Sequence, residues 1–275
     1  MINKILVALD ASPCASAVLS YAVELARAHN AQLTGVAVEN LRDLESVGPA
    51  PIGGGHYARE MVKHRIEEAE KVIKETIENF KSVCLSSNVA FEVFWAKGDP
   101  VSIMVSHARY HDITLSGQKG LFCYGGQQGS KRLLSRLIRS GVCPLIAVPP
   151  KSVRAQKVLI VYDGSIESAS AIKKFVQLQP WPDAISRILC FSGAGNSSEQ
   201  LLIDSSRFCQ TCGLTVETMA MRGSSKGHLL EQAMQWNADL IVMRQRAEGN
   251  WLKRIFNRSV DRLAEESPIP FLFTS

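Results

Sequence analysis

Residues 4–12 read KILVALDAS: a lysine, a run of apolar residues, then an aspartate, a small residue and a serine. Residues 157–165 read KVLIVYDGS and repeat the same order of residue types. An unbroken apolar run is typical of a strand buried on both faces of a parallel sheet. A polar triplet directly after it lies at the carboxyl end, where open α/β sheets bind their ligands. The two stretches therefore predict two copies of one α/β unit.

Two further pairs of stretches extend the repeat. HDITLSGQKG (111–120) corresponds to ADLIVMRQRA (238–247), and CPLIAVP (143–149) corresponds to IPFLFTS (269–275). Corresponding residues are about 153 positions apart at the first strand and about 126 apart later, so the first copy carries about 28 additional residues. We expect two domains, 1–150 and 156–275.

Short apolar runs alternate with helical patterns in each copy, which predicts a doubly wound parallel sheet. Ser12 followed by Pro13 predicts the start of a helix that ends near Ala28. Apolar residues three or four apart over 57–85 predict the longest helix. The predicted class is α/β, with a five-stranded parallel sheet flanked by helices in each domain. The strands expected in the first copy are 4–10, 32–38, 89–95, 112–116 and 144–148.

The composition excludes several classes of protein. With 46% hydrophobic and 21% charged residues, the chain has the balance of a soluble globular protein. It has no apolar run of the roughly 18 residues that a transmembrane helix requires, and MINKILVALDAS is expected to be a strand rather than a signal peptide. A net charge of +5 beside 26 acidic residues does not call for nucleic acid as a partner. Seven scattered cysteines suit a reducing cytoplasm, where we expect the protein, away from membranes.

A glycine-rich stretch, SGQKGLFCYGGQQGS (116–130), follows the predicted fourth strand. Glycines let backbone amides approach a ligand closely, and amides at a helix N-terminus bind anions. If the first and fourth strands are neighbours, Asp10 and this loop face one crevice. Neither the Walker pattern nor Gly-x-Gly-x-x-Gly occurs in the loop. The alternative is that Asp10 caps the next helix and the glycines form only a tight turn.

Three stretches, ILVALDAS, KGDP before a helix, and SGQKG followed by GS and CPLIAVP, resemble a universal stress protein with two fused domains. The resemblance covers nearly the whole chain and implies two Rossmann-like (adenine nucleotide alpha hydrolase-like) domains. It also implies that the first domain alone binds ATP, or ADP or AMP, and that Mg²⁺ could accompany the nucleotide. The residues it assigns to the nucleotide are Asp10, Ala11, Ser12, Val38, Gly117, Lys119, Gly120, Gly129 and Ser130.

Within this set the resemblance implies distinct roles. Asp10 and Ser12 would contact adenine and ribose, and the backbone around Val38 would flank the base. The glycines and Ser130 would hold the phosphates. The final Gly-Ser pair follows Gly120 one residue earlier than in the family pattern.

The second copy departs from the glycine pattern. Asp163 and Ser165 persist, but side chains replace the glycines, and a Cβ obstructs close backbone approach. We therefore expect no ATP in the second domain. The nearby basic residues have two interpretations, a site for another anion or a solvated basic face. The positions that correspond to the glycine motif are Arg244, Ala247, Asn257 and Arg258.

The sequence assigns no catalytic and no metal-binding residue. Cys209 and Cys212 lack the second ligand pair of a zinc site, and His107 and His111 lack the glutamate of a zincin helix. The expected function is a regulatory or stress-protective nucleotide-binding protein with at most slow ATP hydrolysis. By the resemblance, the two last strands pair to give an intramolecular pseudo-dimer, and a further homodimer stays open. The alternative is an adaptor of the same fold that binds no nucleotide.

Overall fold

The computed structural model describes residues 1–45, 55–124, 133–151, 154–192, 197–222, 228–244 and 266–274. These parts of the chain contain ten strands and eight helices. The strands are β1 Lys4–Leu9, β2 Gln32–Glu39, β3 Phe91–Lys97, β4 Ile113–Gly117, β5 Leu145–Val148, β6 Lys157–Tyr162, β7 Ile185–Ser192, β8 Val216–Arg222, β9 Leu240–Arg244 and β10 Phe271–Thr274. The helices are α1 Ala15–His29, α2 Leu41–Glu45, α3 Gly55–Ser86, α4 Pro100–Ala108, α5 Leu133–Ser140, α6 Ile166–Leu178, α7 Ser197–Thr211 and α8 His228–Gln235.

All ten strands belong to one sheet, in the order β3-β2-β1-β4-β5-β10-β9-β6-β7-β8. The strands within each half run parallel, as α/β units with crossover helices require. The predicted α/β class is therefore confirmed. The two five-stranded sheets are nevertheless continuous, because β5 and β10 pair in antiparallel fashion through Leu145 with Phe273 and Ala147 with Phe271. This contact is the pairing of last strands that the sequence analysis expects.

The burial pattern explains why these runs form strands. Every residue of β4, β5, β9 and β10 is buried, as expected for central strands of a sheet whose faces are covered by helices. The edge strand β3 instead alternates between exposed and half-buried residues. The long helix α3 buries the stripe Ala69, Ile73, Ile77, Phe80 and Cys84 against the sheet, at the spacing of three and four that the sequence predicts.

Two aspartates make equivalent contacts in the two halves. The Asp112 carboxylate, just before β4, accepts hydrogen bonds from the backbone amides of Asn3 and Lys4 at 2.7 and 3.0 Å. Asp239, just before β9, accepts from the amides of residues 156 and 157 at 3.0 Å each. In each half the carboxylate thus fixes the start of the first strand beside the fourth.

One helix start differs from the prediction. Helix α1 begins at Ala15, whereas the sequence predicts a start at Ser12 and Pro13. Ser12 Oγ accepts the amide of Cys14 at 3.2 Å, and the Ser12 carbonyl accepts the amide of Ala15 at 3.1 Å. Residues 12–14 therefore form a turn that closes the strand-to-helix connection, and the regular helix follows it.

The seam between the halves includes more than the paired strands. Trp181, which follows α6, is buried, and its indole N–H donates to Glu24 Oε1 of α1 at 2.8 Å. Its ring meets Tyr21 edge to face at 5.4 Å, and Arg154 Nε lies 3.4 Å from the same Glu24 oxygen. These contacts hold α1 of the first half against the second half. No helix in the described parts of the chain combines the length and apolar character needed to cross a bilayer.

We expect Trp181→Ala to lower the free energy of unfolding by about 3–5 kcal/mol, because it opens a cavity and removes the Glu24 contact. Urea denaturation measures the loss. Trp95→Ala is the matched control, since Trp95 lies 38% exposed on the outer strand β3. Equal losses for the two variants would contradict a stabilising role for the seam.

Candidate functional site

The order of the sheet reverses between β1 and β4, which pair through Ile5 with Ile113 and Val7 with Leu115. In open α/β sheets this switch point is where ligands bind, beyond the carboxyl ends of the strands. The first and fourth strands are therefore neighbours, as the argument for Asp10 and the glycine loop requires. We call the space beyond Leu9, Val38 and Gly117 the crevice.

Asp10 is buried at the mouth of β1, with 3% of its surface exposed. Its Oδ1 accepts the amide of Ser12 at 3.0 Å, while the buried Oδ2 has no hydrogen-bond partner within the described residues. Burial raises the pKa of Asp10 to about 6, although the Ser12 hydroxyl and amide and the Phe122 amide oppose the rise. A buried carboxylate with an unused acceptor is a costly group, and a ligand donor would stabilise it.

The predicted glycines Gly117 and Gly120 pack directly on the turn after β1. A Cβ on Gly117 would lie 2.8 Å from Cys14 Cβ and 3.2 Å from Ser12 Oγ. Gly120 has φ +70°, and a Cβ there would lie 3.1 Å from Ser12 Cβ. Both positions therefore require glycine for packing, whether or not a phosphate binds. Substituting them would test the fold before it tested a ligand.

Some backbone amides of the loop already interact with other groups of the protein. The amide of Gln118 donates to the carbonyl of Val148 at 2.9 Å. Burial raises the pKa of the Cys14 thiol, while the backbone amides of Lys119 and Gln118 oppose the rise. The Lys119 side chain is exposed, and so is Ala11. Gly129 and Ser130 lie outside the described residues.

Two aromatic residues that the sequence analysis did not single out fill the crevice. Tyr124 is 4% exposed, and its hydroxyl donates to the carbonyl of Leu9. Burial raises the pKa of the phenol far above its ordinary value; the Asp10 carboxylate adds to the rise and the Val38 backbone opposes it. Phe122, also 4% exposed, brings its amide to Asp10. Large apolar residues inside a glycine-rich loop were the sequence signal for this arrangement.

A charged cluster lies beside the crevice, at the ends of β2 and β3. Glu39 is fully buried, and Lys97 Nζ lies 3.0 Å from Glu39 Oε2 and 2.8 Å from Glu70 Oε1 of α3. Hydrogen bonds to Glu70 and then Glu39 raise the pKa of Lys97. The lysine thus neutralises a carboxylate next to Val38, and this position escaped the sequence analysis.

The second half repeats the turn after its first strand, but an arginine replaces the glycine that packs on that turn in the first half. Asp163 Oδ1 accepts the amide of Ser165 at 3.1 Å, which matches the geometry at Asp10. Arg244 occupies the position of Gly117 at the end of β9 and is 4% exposed. Its guanidinium lies 3.3 Å from Ser165 Oγ, 3.5 Å from Glu167 Oε2 and 3.9 Å from Asp163 Oδ2. Arg244 therefore pairs with this half's own acidic groups rather than facing solvent as part of an anion site.

The other residues of that comparison, Ala247, Asn257 and Arg258, lie outside the described residues. Of the four positions that correspond to the glycine motif, the structure therefore describes only Arg244. There a buried guanidinium beside Ser165, Glu167 and Asp163 replaces the glycine that packs on the Ser12 turn in the first half.

The strand order and the switch point define a doubly wound α/β protein. Residues 1–115 match the family model described as "Universal stress protein family". Universal stress protein YxiE of Bacillus subtilis (strain 168) is 27% identical over 160 residues, which cover 56% of this chain and 100% of that protein. Residues 1–115 are thus similar to a universal stress protein domain, and the similarity to YxiE lies within about half of the chain.

Solved structures extend the fold to both halves. A universal stress protein from Archaeoglobus fulgidus DSM 4304 is 20% identical, with a TM-score of 0.69 over 99% of this chain and 96% of that chain. The functionally unknown protein PA1789 from Pseudomonas aeruginosa PAO1 is 13% identical, with a TM-score of 0.58 over 99% and 92%. At these identities the likeness establishes the shared fold alone.

The buried carboxylate predicts a specific dependence of stability on pH. Folded Asp10 keeps its proton up to about pH 6, whereas the unfolded chain releases it near pH 4. Because the folded state binds the extra proton in this window, wild-type stability falls relative to Asp10→Asn as pH rises from about 4 to 6. The stability difference between the two proteins should therefore shift by about 3 kcal/mol in favour of the asparagine variant between pH 4 and pH 8.

Urea denaturation of both nucleotide-free proteins at pH 4, 6 and 8 measures this difference. Asparagine retains the acceptor for the Ser12 amide, so the comparison isolates the charge. A difference that stays constant across the three pH values would contradict the raised pKa.

Proposed function

We propose that the protein is a regulatory or stress-protective protein that binds ATP, ADP or AMP in the crevice of its first domain. The two domains would be residues 1–150 and 156–275, and the nucleotide site would lie in the first alone. The seven free cysteines support a reducing cytoplasm as its compartment.

The observation that carries this proposal is the state of Asp10. Its buried Oδ2 has no hydrogen-bond partner within the described residues, and it lies at the topological switch point of the sheet. A ribose hydroxyl or a base N–H would supply the missing donor, and a hydrogen bond to a charged group contributes about 1.5–3 kcal/mol. The peptide backbone at Val38, on the neighbouring strand, would flank the base.

The phosphates would extend along the glycine loop. Gly117 and Gly120 keep the backbone close to the turn at Ser12, and the exposed Lys119 could reach a phosphate as a point charge. Gly129 and Ser130 would complete the far side, with Mg²⁺ as a companion of the nucleotide. Because hydrolysis also requires a positioned attacking water, we propose a binding and sensing role with at most slow turnover.

A second candidate function is favoured by Tyr124. Its phenol already contacts Leu9 and lies close to Asp10 and Val38, which are the groups proposed to hold the base. A protein with this crevice permanently filled would act as an adaptor through its surfaces. The outer strands β3 and β8 flank the ten-stranded sheet and could support a further homodimer beside the intramolecular pairing of the halves.

Nucleotide binding is tested first on the purified protein. We expect denaturation to release an adenine nucleotide that mass spectrometry identifies, and calorimetric titration of stripped protein to give saturable ATP binding. Asp10→Asn should weaken that binding by about ten- to a hundredfold, because the amide removes the charge that strengthens the hydrogen bond.

Asp163→Asn is the matched control, since it makes the same change in the corresponding turn of the second half. It should leave the ATP affinity within about twofold of the wild type, because Arg244 fills that crevice. Failure of the wild type to bind any of the three nucleotides at millimolar concentration would favour the adaptor. Equal weakening by both substitutions would show that the effect does not come from the first crevice.

A further inference from the structure

We propose that Tyr124 is an internal gate, a side chain that occupies the base-binding part of the crevice and must leave before a nucleotide binds. The inference rests on the proposed function and concerns the regulation of that same site. It follows from three properties of the described segment Leu121–Tyr124: its burial, its hydrogen bonds and its backbone conformation.

Burial shows how completely this segment closes the crevice. Leu121, Phe122 and Tyr124 are 5%, 4% and 4% exposed although they belong to a loop beyond the last residue of β4. Loop residues of this size normally remain in part at the surface. Here they extend the hydrophobic core past the ends of the strands, into the space where open α/β sheets admit ligands.

The hydrogen bonds of Tyr124 explain why this ring suits the crevice. Its hydroxyl donates to the Leu9 carbonyl, and the backbone of Val38 lies close enough to stabilise the phenol oxygen. A phenol both donates and accepts, and so does the edge of an adenine base. The tyrosine therefore pairs with the Leu9 carbonyl at the end of β1 and lies beside the Val38 backbone near the end of β2.

The tyrosine leaves Asp10 incompletely satisfied. Asp10 Oδ2 accepts no hydrogen bond within the described residues, although Tyr124 lies close enough for the two groups to interact electrostatically. The closed crevice thus retains one strong acceptor that Tyr124 does not use. A ligand that pairs with Asp10 as well as with the strand ends has an interaction that the gate lacks, which gives it a basis for displacing the ring.

The backbone of the segment favours a switch between two arrangements. Phe122 has φ +53°, a left-handed conformation that is uncommon for a bulky aromatic residue. Such residues persist where surrounding contacts hold them, and they cluster at switch regions. The contacts that hold Phe122 are its amide beside Asp10 and its buried ring. Opening the gate would release this strained residue together with Tyr124.

The consequence is a reduced apparent affinity. When only a fraction of the molecules has a competent site, the measured dissociation constant rises by the inverse of that fraction. With an open state populated at about 0.1–10%, removal of the gate raises the affinity by about ten- to a thousandfold. A protein with this device responds to high nucleotide concentrations or to an event that frees the loop.

The test compares ATP and AMP binding by the wild type, Tyr124→Ala and Tyr124→Phe, using calorimetric titration. We expect Tyr124→Ala to bind at least about tenfold more tightly than the wild type. Tyr124→Phe should gain less, because it loses the bond to Leu9 but keeps the ring. Tyr162→Phe is the control, since Tyr162 is a buried phenol at the end of β6 in the other half, and its affinity should not change.

The outcomes separate the gate from the site itself. A wild type that binds ATP, with unchanged or weaker binding in Tyr124→Ala, overturns the gate and leaves the proposed function standing. Binding that appears only in the Tyr124 variants supports the gate and shows that the closed form dominates. If neither the wild type nor a folded variant binds either nucleotide, both proposals are wrong. If Tyr124→Ala does not fold, the ATP affinity of Tyr124→Phe is compared with that of the wild type instead. Tighter binding by Tyr124→Phe supports the gate, and equal or weaker binding overturns it.

Discussion

The pairing of β1 with β4 is the constraint on which the candidate site depends. These strands are more than 100 residues apart in sequence, and only their alignment brings Asp10 against the glycine loop. Asp112 fixes that alignment by accepting the amides at the start of β1. Because the sheet order reverses at this pair, the connecting helices diverge and leave a crevice. Asp239 repeats the device in the second half.

The two halves use this shared geometry in opposite ways. In the first half, the glycines let the loop backbone pack closely on the turn at Ser12. The neutral phenol of Tyr124 occupies the crevice, and in the proposed gate a ligand with a hydrogen-bond donor and an acceptor replaces it. In the second, the guanidinium of Arg244 lies among acidic and hydroxyl groups and is itself buried. Withdrawing Arg244 would leave the buried Asp163 carboxylate without this cationic neighbour. The proposed gate therefore concerns the first half alone.

Gln118 connects the loop to the seam between the halves. Its side-chain amide donates to the carbonyl of Ile269, just before β10, at 3.1 Å, while its backbone amide bonds to Val148 of β5. Gln118 therefore contacts β5 and the residue that lies two positions before β10, the two strands that join the sheets.

The sequence by itself determined the repeat, the strands, the α/β class and the position of Asp10 at a strand end, because apolar runs and the spacing of polar residues are local properties. It also indicated that Arg244 disrupts the second glycine motif. Only the tertiary structure decided that Gly117 and Gly120 are required by contacts with Ser12 and Cys14. The same is true of the ring of Tyr124, which closes the crevice against Leu9. Those contacts join residues distant in sequence, and no periodicity encodes which side chain fills a space that exists only once the sheet has formed.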